Sequence, residues 1–424
     1  MNYASSISST GGHCSPKQKG VAMDTELIDQ LVVKNGKKII FLIMDGLGGL
    51  PRVGGTKTEL ETAATPNMDR LAVSGTCGLL DPVGYGITPG SGPAHFALFG
   101  YDPVKLNVGR GLLSAAGLGF PMAAGDLYMR ANFATLDKKG LITDRRAGRL
   151  ATEKNELLCK KLQNDIHLSS AREVFFLTEK EHRALVVLRG GSWSEQISET
   201  DPQKTGLPPA EAKALISEAA TTAAAVNELS GKIIKALSGE DKANSMLLRG
   251  YAQYQLFPSM VERFGLNPLV VAGYPMYKGI ARLLGMTIAP DTETIEDEIK
   301  MLCAKYKDYD YFFVHIKATD SRGEDGKFDD KVKVIEKVDS LLPQICALNP
   351  DVLVITGDHS TPAAMAGHSW HPVPVLLSAK NCRPDGAKIF GEGACLSGGL
   401  GRMPMKYLMG VALAHAGKLQ KFGA

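Results

Sequence analysis

Continuous apolar runs at several points along the chain predict buried parallel strands. Residues 37–44, 310–315 and 351–356 are mostly β-branched, leucine or aromatic, the composition of strands covered on both faces. Further strands are predicted at 78–83, 269–272 and 373–377, and helices at 65–72 (with Thr65 as N-cap), 93–99, 277–284 and 331–348. Strands that alternate with helices predict an α/β fold built on a parallel sheet.

Residues 121–254 have a different pattern. An alternating run at 126–136 ends in a turn at 137–140, short strands follow at 173–177 and 184–188, and 210–237 is alanine-rich with helical spacing. We therefore expect an α+β domain at 121–254, inserted into an α/β domain formed by 36–120 and 255–424.

The first 35 residues form a predicted N-terminal extension. Residues 1–22 are rich in Ser and Gly and are expected to be disordered, with a short helix at 25–33. They contain no apolar core of a secretory signal, and no run elsewhere reaches the roughly 20 apolar residues of a membrane helix. The 7 cysteines show no CxxC pair. These features predict a cytoplasmic protein with reduced thiols.

Residues suited to metal binding or nucleophilic attack follow the predicted strands. Asp45 follows the first strand, Asp320 follows the strand at 310–315, and Asp358-His359 follows Val-Leu-Val-Ile-Thr-Gly. Ser91 lies between two glycines before a predicted helix, and His368 comes shortly after His359. Each alone is equally typical of a turn, a flexible loop or a helix cap. Together they predict one site, because ligands gather at the carboxyl ends of parallel strands.

The ordered motifs resemble a known family. They are Met-Asp45-Gly, Ala-Thr-Pro-Asn-Met-Asp-Arg-Leu-Ala at 64–72, Thr-Pro-Gly-Ser91-Gly-Pro-Ala-His95, Thr-Asp320, Gly-Asp358-His359-Ser-Thr-Pro and His368. This set is similar to the alkaline phosphatase superfamily and, more narrowly, to archaeal-type, cofactor-independent phosphoglycerate mutases, from about residue 37 to 424. The resemblance implies an alkaline-phosphatase-like three-layer α/β sandwich with an inserted α+β domain.

The resemblance also implies a mechanism that uses two divalent metal ions, Mn²⁺ or Mg²⁺, and no 2,3-bisphosphoglycerate. Asp45, Ser91, Asp358 and His359 would hold one ion. Asp320, the residue four positions later and His368 would hold the other. Ser91 would take the phosphoryl group of 3-phosphoglycerate and return it to the 2-hydroxyl, in glycolysis and gluconeogenesis.

One position departs from the superfamily pattern. The second-site spacing Asp-x-x-x-His reads Asp320-Ser-Arg-Gly-Glu324 here. Glutamate is a harder ligand than imidazole and favours Mg²⁺ or Mn²⁺ over Zn²⁺. Whether Glu324, Asp325 or neither is the ligand stays open, and His371 is an alternative donor to His368.

Basic residues of the inserted domain are expected to hold the anionic substrate, because arginine matches carboxylate and phosphate groups bidentately. The predicted substrate-binding residues are His95, Asp144, Arg145, Arg146, Arg149, His182, Arg183, Arg189 and Lys278. The alternatives for these clusters are a solvated basic face or a nucleic-acid surface. Neither aromatic interleaving nor a basic stripe is present, and the formal net charge is only +3. We therefore expect a small-molecule phosphoglycerate as partner and neither nucleic acid nor a membrane; the sequence does not indicate an oligomeric state.

Two other functions are compatible with the motifs. Another metal-dependent phosphatase, phosphodiesterase or phosphotransferase of the superfamily would share the metal site and differ in the inserted domain. A non-catalytic metal-binding relative would have lost its second site through Glu324. The arginine clusters and a serine nucleophile favour the mutase.

Overall fold

The computed structural model describes residues 27–106 and 108–423. Within these ranges the strands are β1 Ile39–Met44, β2 Thr76–Asp81, β3 Leu127–Leu136, β4 Ile142–Asp144, β5 Glu173–Lys180, β6 Arg183–Arg189, β7 Ser245–Gln253, β8 Pro268–Ala272, β9 Thr287–Ile288, β10 Tyr311–Ile316, β11 Val352–Thr356, β12 Val373–Ala379 and β13 Gly401–Pro404. The helices are α1 Leu27–Leu31, α2 Glu59–Thr62, α3 Pro66–Ser74, α4 Ser91–Leu98, α5 Pro103–Leu106, α6 Arg110–Leu118, α7 Thr152–Asp165, α8 Ala220–Ala236, α9 Met260–Phe264, α10 Pro275–Leu283, α11 Ile295–Lys305, α12 Ala318–Glu324, α13 Phe328–Ala347, α14 Glu392–Leu396 and α15 Leu408–His415.

The larger sheet has the strand order β13-β2-β12-β11-β1-β10-β8-β9 in the described residues. Its central strand β1 runs parallel to β10 on one side and to β11 on the other. Every residue of β1 is buried, and its side chains alternate between two apolar cores: Ile39, Phe41 and Ile43 face one, and Ile40, Leu42 and Met44 face the other. Helices therefore cover both faces of the sheet, which is why the strand is apolar at every position.

The smaller sheet is antiparallel throughout. In the part of the chain described here, β3 pairs with β4, β6 and β7, and β5 extends the sheet beyond β6. Helices α7 and α8 pack on it through a separate apolar core that includes Leu162 and Leu229. Since β3 to β7 all come from residues 127–253, this unit interrupts the strands of the larger sheet along the chain. The bounds at 120 and 254 stay a prediction.

Two local predictions differ from the structure. The predicted helix at 210–237 begins only at Ala220, because residues 210–216 run alongside 197–200: Ala210 N donates to Thr200 O, and Ile197 forms a bridge with Ala214. Helix α3 has Pro66 in its first turn as expected, but the Thr65 side chain makes no capping hydrogen bond.

At the amino end, the expected disorder of residues 1–22 lies outside the described residues, and only the part of the predicted 25–33 helix in α1 is described. Among the described residues, no helix is long and apolar enough to cross a bilayer.

Candidate active site and metal centre

Three buried aspartates converge beyond one edge of the larger sheet. In register, Met44 lies beside Ile316 and Ile43 beside Thr356, so β1, β10 and β11 end together. Asp45 is the first residue after β1, Asp358 the second after β11, and Asp320 lies in the first turn of α12. All three are fully buried.

Ser91 reaches this edge at the start of a helix and not at the end of a strand. β2 ends at Asp81, and Ser91 is the first residue of α4, with Gly90 as N-cap. Its Oγ lies 3.2 Å from Nε2 of His359. The free N–H groups at the start of a helix favour negative charge at this point, which suits a phosphoryl acceptor.

A chain of hydrogen bonds orients His359. Thr361 Oγ1 donates to Asp320 Oδ1 at 2.7 Å and therefore accepts from His359 Nδ1 at 3.0 Å. The lone pair of Nε2 is left facing Ser91, with Asp358 Oδ2 at 3.2 Å and Asp45 Oδ1 at 3.4 Å. Burial lowers the pKa of His359 to about 3, so the ring is neutral. A neutral imidazole with a directed lone pair is the form that binds a metal ion.

His368 is oriented in the same way. Its Nδ1 donates to the carbonyl of Pro89 at 3.0 Å, and its Nε2 lies 3.7 Å from Asp320 Oδ1 and 3.8 Å from Glu324 Oε1. Asp320 and Glu324 are four residues apart on α12, which puts both carboxylates on one face. The geometry thus supports Glu324 as the third donor.

The two alternative donors lie elsewhere. Asp325 Oδ2 is 3.3 Å from Lys327 Nζ, and Asp325 does not line the cavity beside Ser91. His371 Nδ1 is bound to Ser369 Oγ at 3.0 Å, and the ring stacks on Trp370. Neither residue faces Asp320 as Glu324 and His368 do.

Lys317, which the sequence interpretation missed, links the two carboxylate groups. Its Nζ lies 2.6 Å from Asp320 Oδ2 and 3.0 Å from Asp45 Oδ2. Burial lowers the pKa of Lys317, but the two carboxylates outweigh this effect and hold it above its usual value.

Burial and the neighbouring Asp45 raise the pKa of Asp358 well above normal. A cation bound between the carboxylates of Asp45 and Asp358 would therefore relieve their repulsion.

The residues present suit divalent metal ions. Among the described residues, Asp45 Oδ1 and Asp358 Oδ2 are buried without a hydrogen-bond partner. Asp45, Asp358 and His359 form one group of donors within 4.8 Å of one another, and Asp320, His359 and His368 form a second. Unpaired buried carboxylate oxygens are costly unless a cation meets them.

A cavity of about 900 Å³ opens beside Ser91. The inserted segment supplies a cationic wall made of the predicted residues Arg145, Arg146 and Arg183 and of the unpredicted Arg130 and Arg249, with Arg110 beside them. The predicted His182 also lines the cavity, but burial lowers its pKa to about 4, so this ring is neutral. Arg130 pairs in register with Arg249 on adjacent strands. Burial lowers the pKa of Arg130; Glu179, which also lines the cavity, raises it, and the guanidinium groups nearby lower it further.

Four predicted substrate-binding residues do not line the cavity. Asp144 accepts from the backbone N–H groups of Arg146 and Gly148, and so fixes a turn. Arg149 is exposed in that turn. Arg189 is held by both carboxylate oxygens of Asp126, and Lys278 is paired with Asp291. Carboxylates thus hold Arg189 and Lys278, whereas Asp144 and Arg149 belong to a turn, and none of the four lines the cavity.

His95 also lies outside the cavity lining, although it is close to the site. It is fully buried, its Nδ1 donates to Ser91 O at 2.8 Å, and its ring stacks on Tyr277 at 4.1 Å between centroids. The Tyr277 hydroxyl donates to Asp45 Oδ2 at 2.6 Å. His95 thus supports the backbone of Ser91 and the side chain that orients Asp45.

The fold and the site define a class of protein, the enzymes that transfer phosphoryl groups. Residues 72–242 match the family described as 2,3-bisphosphoglycerate-independent phosphoglycerate mutase. A probable member from Thermus thermophilus is 50% identical over 401 residues, which cover 94% of this chain and 99% of the relative. The chain belongs to this family of isomerases, as its motifs predicted.

Two solved structures resemble the chain over nearly its whole length. The PH0037 protein from Pyrococcus horikoshii has a TM-score of 0.77 at 28% identity, and the match covers 92% of this chain and 99% of the PH0037 chain. The cofactor-independent phosphoglycerate mutase from Thermoplasma acidophilum has a TM-score of 0.70 at 30% identity, and the match covers 90% of this chain and 100% of the Thermoplasma chain. The predicted α/β fold class is confirmed.

Proposed function

We propose that this chain interconverts 3-phosphoglycerate and 2-phosphoglycerate, with Ser91 as the group that carries the phosphoryl between them. The observation that supports this most is the position of Ser91: its Oγ contacts His359 Nε2 on one side, and an arginine-lined cavity opens on the other. A nucleophile at the metal centre and a cationic wall facing it suit a substrate with both a phosphate and a carboxylate.

We propose two divalent ions, Mn²⁺ or Mg²⁺, at this centre. Asp45, Ser91, Asp358 and His359 would hold the first, and Asp320, Glu324 and His368 the second. When bound, such ions lower the pKa of the serine hydroxyl and offset charge on the transferring group. A carboxylate at 324 adds a hard ligand, which favours Mg²⁺ or Mn²⁺ over Zn²⁺.

The chain's own residues then have distinct tasks. Ser91 loses its hydroxyl proton as its Oγ attacks phosphorus, the bond from phosphorus to the 3-oxygen breaks, and that oxygen takes up a proton, giving phosphoserine and bound glycerate. Lys317 lines the cavity next to Asp45 and Asp320 and stabilises the transferring oxygens. The arginines of the cationic wall hold the carboxylate of glycerate, so that glycerate stays bound while it turns. The 2-hydroxyl of glycerate then loses its proton and attacks phosphorus, the bond from phosphorus to Ser91 Oγ breaks, and Ser91 takes up a proton.

Retention of glycerate separates a mutase from a phosphatase on the same metal centre. We propose that the substrate is a phosphoglycerate, which family membership and the cationic wall support. We also propose that no 2,3-bisphosphoglycerate is required, which family membership supports, and that the protein is cytoplasmic. The test couples formation of 2-phosphoglycerate to enolase, with Mn²⁺ or Mg²⁺ and without 2,3-bisphosphoglycerate. Turnover supports the proposal. Release of inorganic phosphate without 2-phosphoglycerate would replace it with a phosphatase.

A further inference from the structure

Lys331 is a fully buried lysine. It lies in the first turns of α13, and its Nζ donates to three backbone carbonyls: Gly46 O at 2.8 Å, Thr361 O at 2.9 Å and Gly48 O at 3.1 Å. An ammonium group has three N–H donors and no acceptor. Its donors and the three carbonyls therefore match in number.

Those carbonyls belong to the two loops that carry the proposed ligands of the first ion. Gly46 directly follows Asp45, and Thr361 follows His359 by two residues. The loops also contact each other, since Gly46 N donates to Asp358 Oδ1 at 3.0 Å. The ammonium group thus ties the loop of Asp45 to the loop of Asp358 and His359, in addition to the backbone hydrogen bonds from Thr361 N to Gly46 O and Gly48 O.

Glu59 binds the same two loops through their backbone N–H groups. It is fully buried, with one carboxylate oxygen accepting from Ala363 N at 2.7 Å and the other from Leu50 N at 3.1 Å. The first of these oxygens lies 3.8 Å from Lys331 Nζ. Lysine contacts the carbonyls and glutamate the N–H groups, so the pair binds both loops and balances its own charge.

We propose that Lys331, assisted by Glu59, is a positioning residue that sets the distance between the loops of Asp45 and Asp358 and thereby the affinity for the first divalent ion. Lys331 does not line the cavity, so it acts only through backbone. The inference rests on the proposed metal centre. Replacement by an apolar side chain would remove the donor to Thr361 O, would leave Gly46 O and Gly48 O with only the Thr361 N–H, and would loosen the two loops.

The test is a Mn²⁺ titration of metal-free protein followed by electron paramagnetic resonance, with circular dichroism to check folding. The variants are Lys331→Met and, as matched control, Lys418→Met. Lys418 is also buried and donates to a carbonyl, Asn35 O at 3.0 Å, but it lies among the terminal segments. We expect Lys331→Met to weaken Mn²⁺ binding on the order of tenfold or more. Lys418→Met should bind Mn²⁺ like the unmodified protein.

A second readout separates positioning from general destabilisation. At saturating Mn²⁺, Lys331→Met should lower kcat while KM for 3-phosphoglycerate stays the same, because the cavity wall is untouched. Unchanged Mn²⁺ affinity in Lys331→Met would overturn the inference. If that variant does not fold, Glu59→Gln decides instead: weaker Mn²⁺ binding supports the inference and unchanged binding overturns it.

Asp358→Asn tests the metal centre on which the inference rests. If Asp358→Asn keeps both ions, the proposed centre itself is wrong. If Asp358→Asn loses an ion while Lys331→Met binds normally, only the positioning role fails.

Discussion

The imidazole of His368 and the carboxylate of Glu324 face each other across 3.8 Å, from His368 Nε2 to Glu324 Oε1. His368 is turned toward Glu324 because its other nitrogen donates to Pro89 O. Glu324 is half-exposed at the cavity and Asp320, one turn earlier, is fully buried. This relationship supports the proposal that the Glu324 carboxylate takes the position of the imidazole in Asp-x-x-x-His.

Substitution of Glu324 should therefore affect the second ion alone. We expect Glu324→Gln to lower affinity for that ion by about tenfold or more, since a ligand is lost. Asp325→Asn is the matched control, because Asp325 is paired with Lys327 outside the cavity. Metal content after dialysis measures both. An Asp325→Asn protein that loses metal, beside a Glu324→Gln protein that keeps it, would reverse the assignment.

Substitutions of the two lysines near the site should have clearly different effects on kcat. Lys317 contacts Asp45 and Asp320, whereas Lys278 is paired with Asp291. We expect Lys317→Met to lower kcat by about 10²–10³, the typical loss when a charge-stabilising donor is removed. Lys278→Met should keep most of kcat. Steady-state kinetics of both variants decide; a large loss in Lys278→Met alone would show that the lysine first predicted is the functional one.

The cationic wall predicts another matched pair. Arg130 lines the cavity, whereas both oxygens of Asp126 hold Arg189. Arg130→Lys should raise KM for 3-phosphoglycerate about tenfold or more, because lysine cannot reproduce a bidentate contact. Arg189→Lys should leave KM unchanged. Equal KM values for the two variants would mean that Arg130 does not touch the substrate.

Glu298 on α11 gives a pH-dependent prediction. Burial, with Asp297 next to it, raises the pKa of Glu298 from 4.5 to about 8 in the folded protein. The folded state thus prefers the protonated form, so this stabilisation is fully present below pH 4.5 and lost as pH rises through 8.

Glu298→Gln should remove that loss and raise the free energy of unfolding at pH 9 by on the order of a few kcal/mol, with little change at pH 4. Urea denaturation at both pH values measures it. Glu296→Gln is the control, since Glu296 is a surface partner of Lys337. A Glu298→Gln protein no more stable than the unmodified one at pH 9 would show that the carboxylate is ionised at little cost.

The sheet and the proposed metal ligands were accessible from the sequence because each signal is local. Strand β1 is apolar at every position, and Asp45 follows it directly. The arginine wall was only partly accessible, because Arg130 and Arg249 meet through strand register across more than a hundred residues. A local signal did exist: Arg130 and Asn132 are polar positions of one face of β3, and both line the cavity.

Other features depend on tertiary contacts with no local signal. Lys317 and Lys278 each lie near a strand or helix that was predicted, but only their partners, Asp320 and Asp291, decide which one faces the cavity. The extended course of 210–216 likewise depends on its pairing with residues 197–200, which outweighs the helix propensity of its alanines.

The role of Ser91 is tested most directly by rapid quenching of the enzyme during turnover with 3-phosphoglycerate and Mn²⁺, followed by mass spectrometry of the peptide that contains residue 91. We predict one added phosphoryl group on Ser91, and none, with no turnover, in a folded Ser91→Ala protein. A phosphoryl group on another residue, or turnover that survives in Ser91→Ala, would contradict the account.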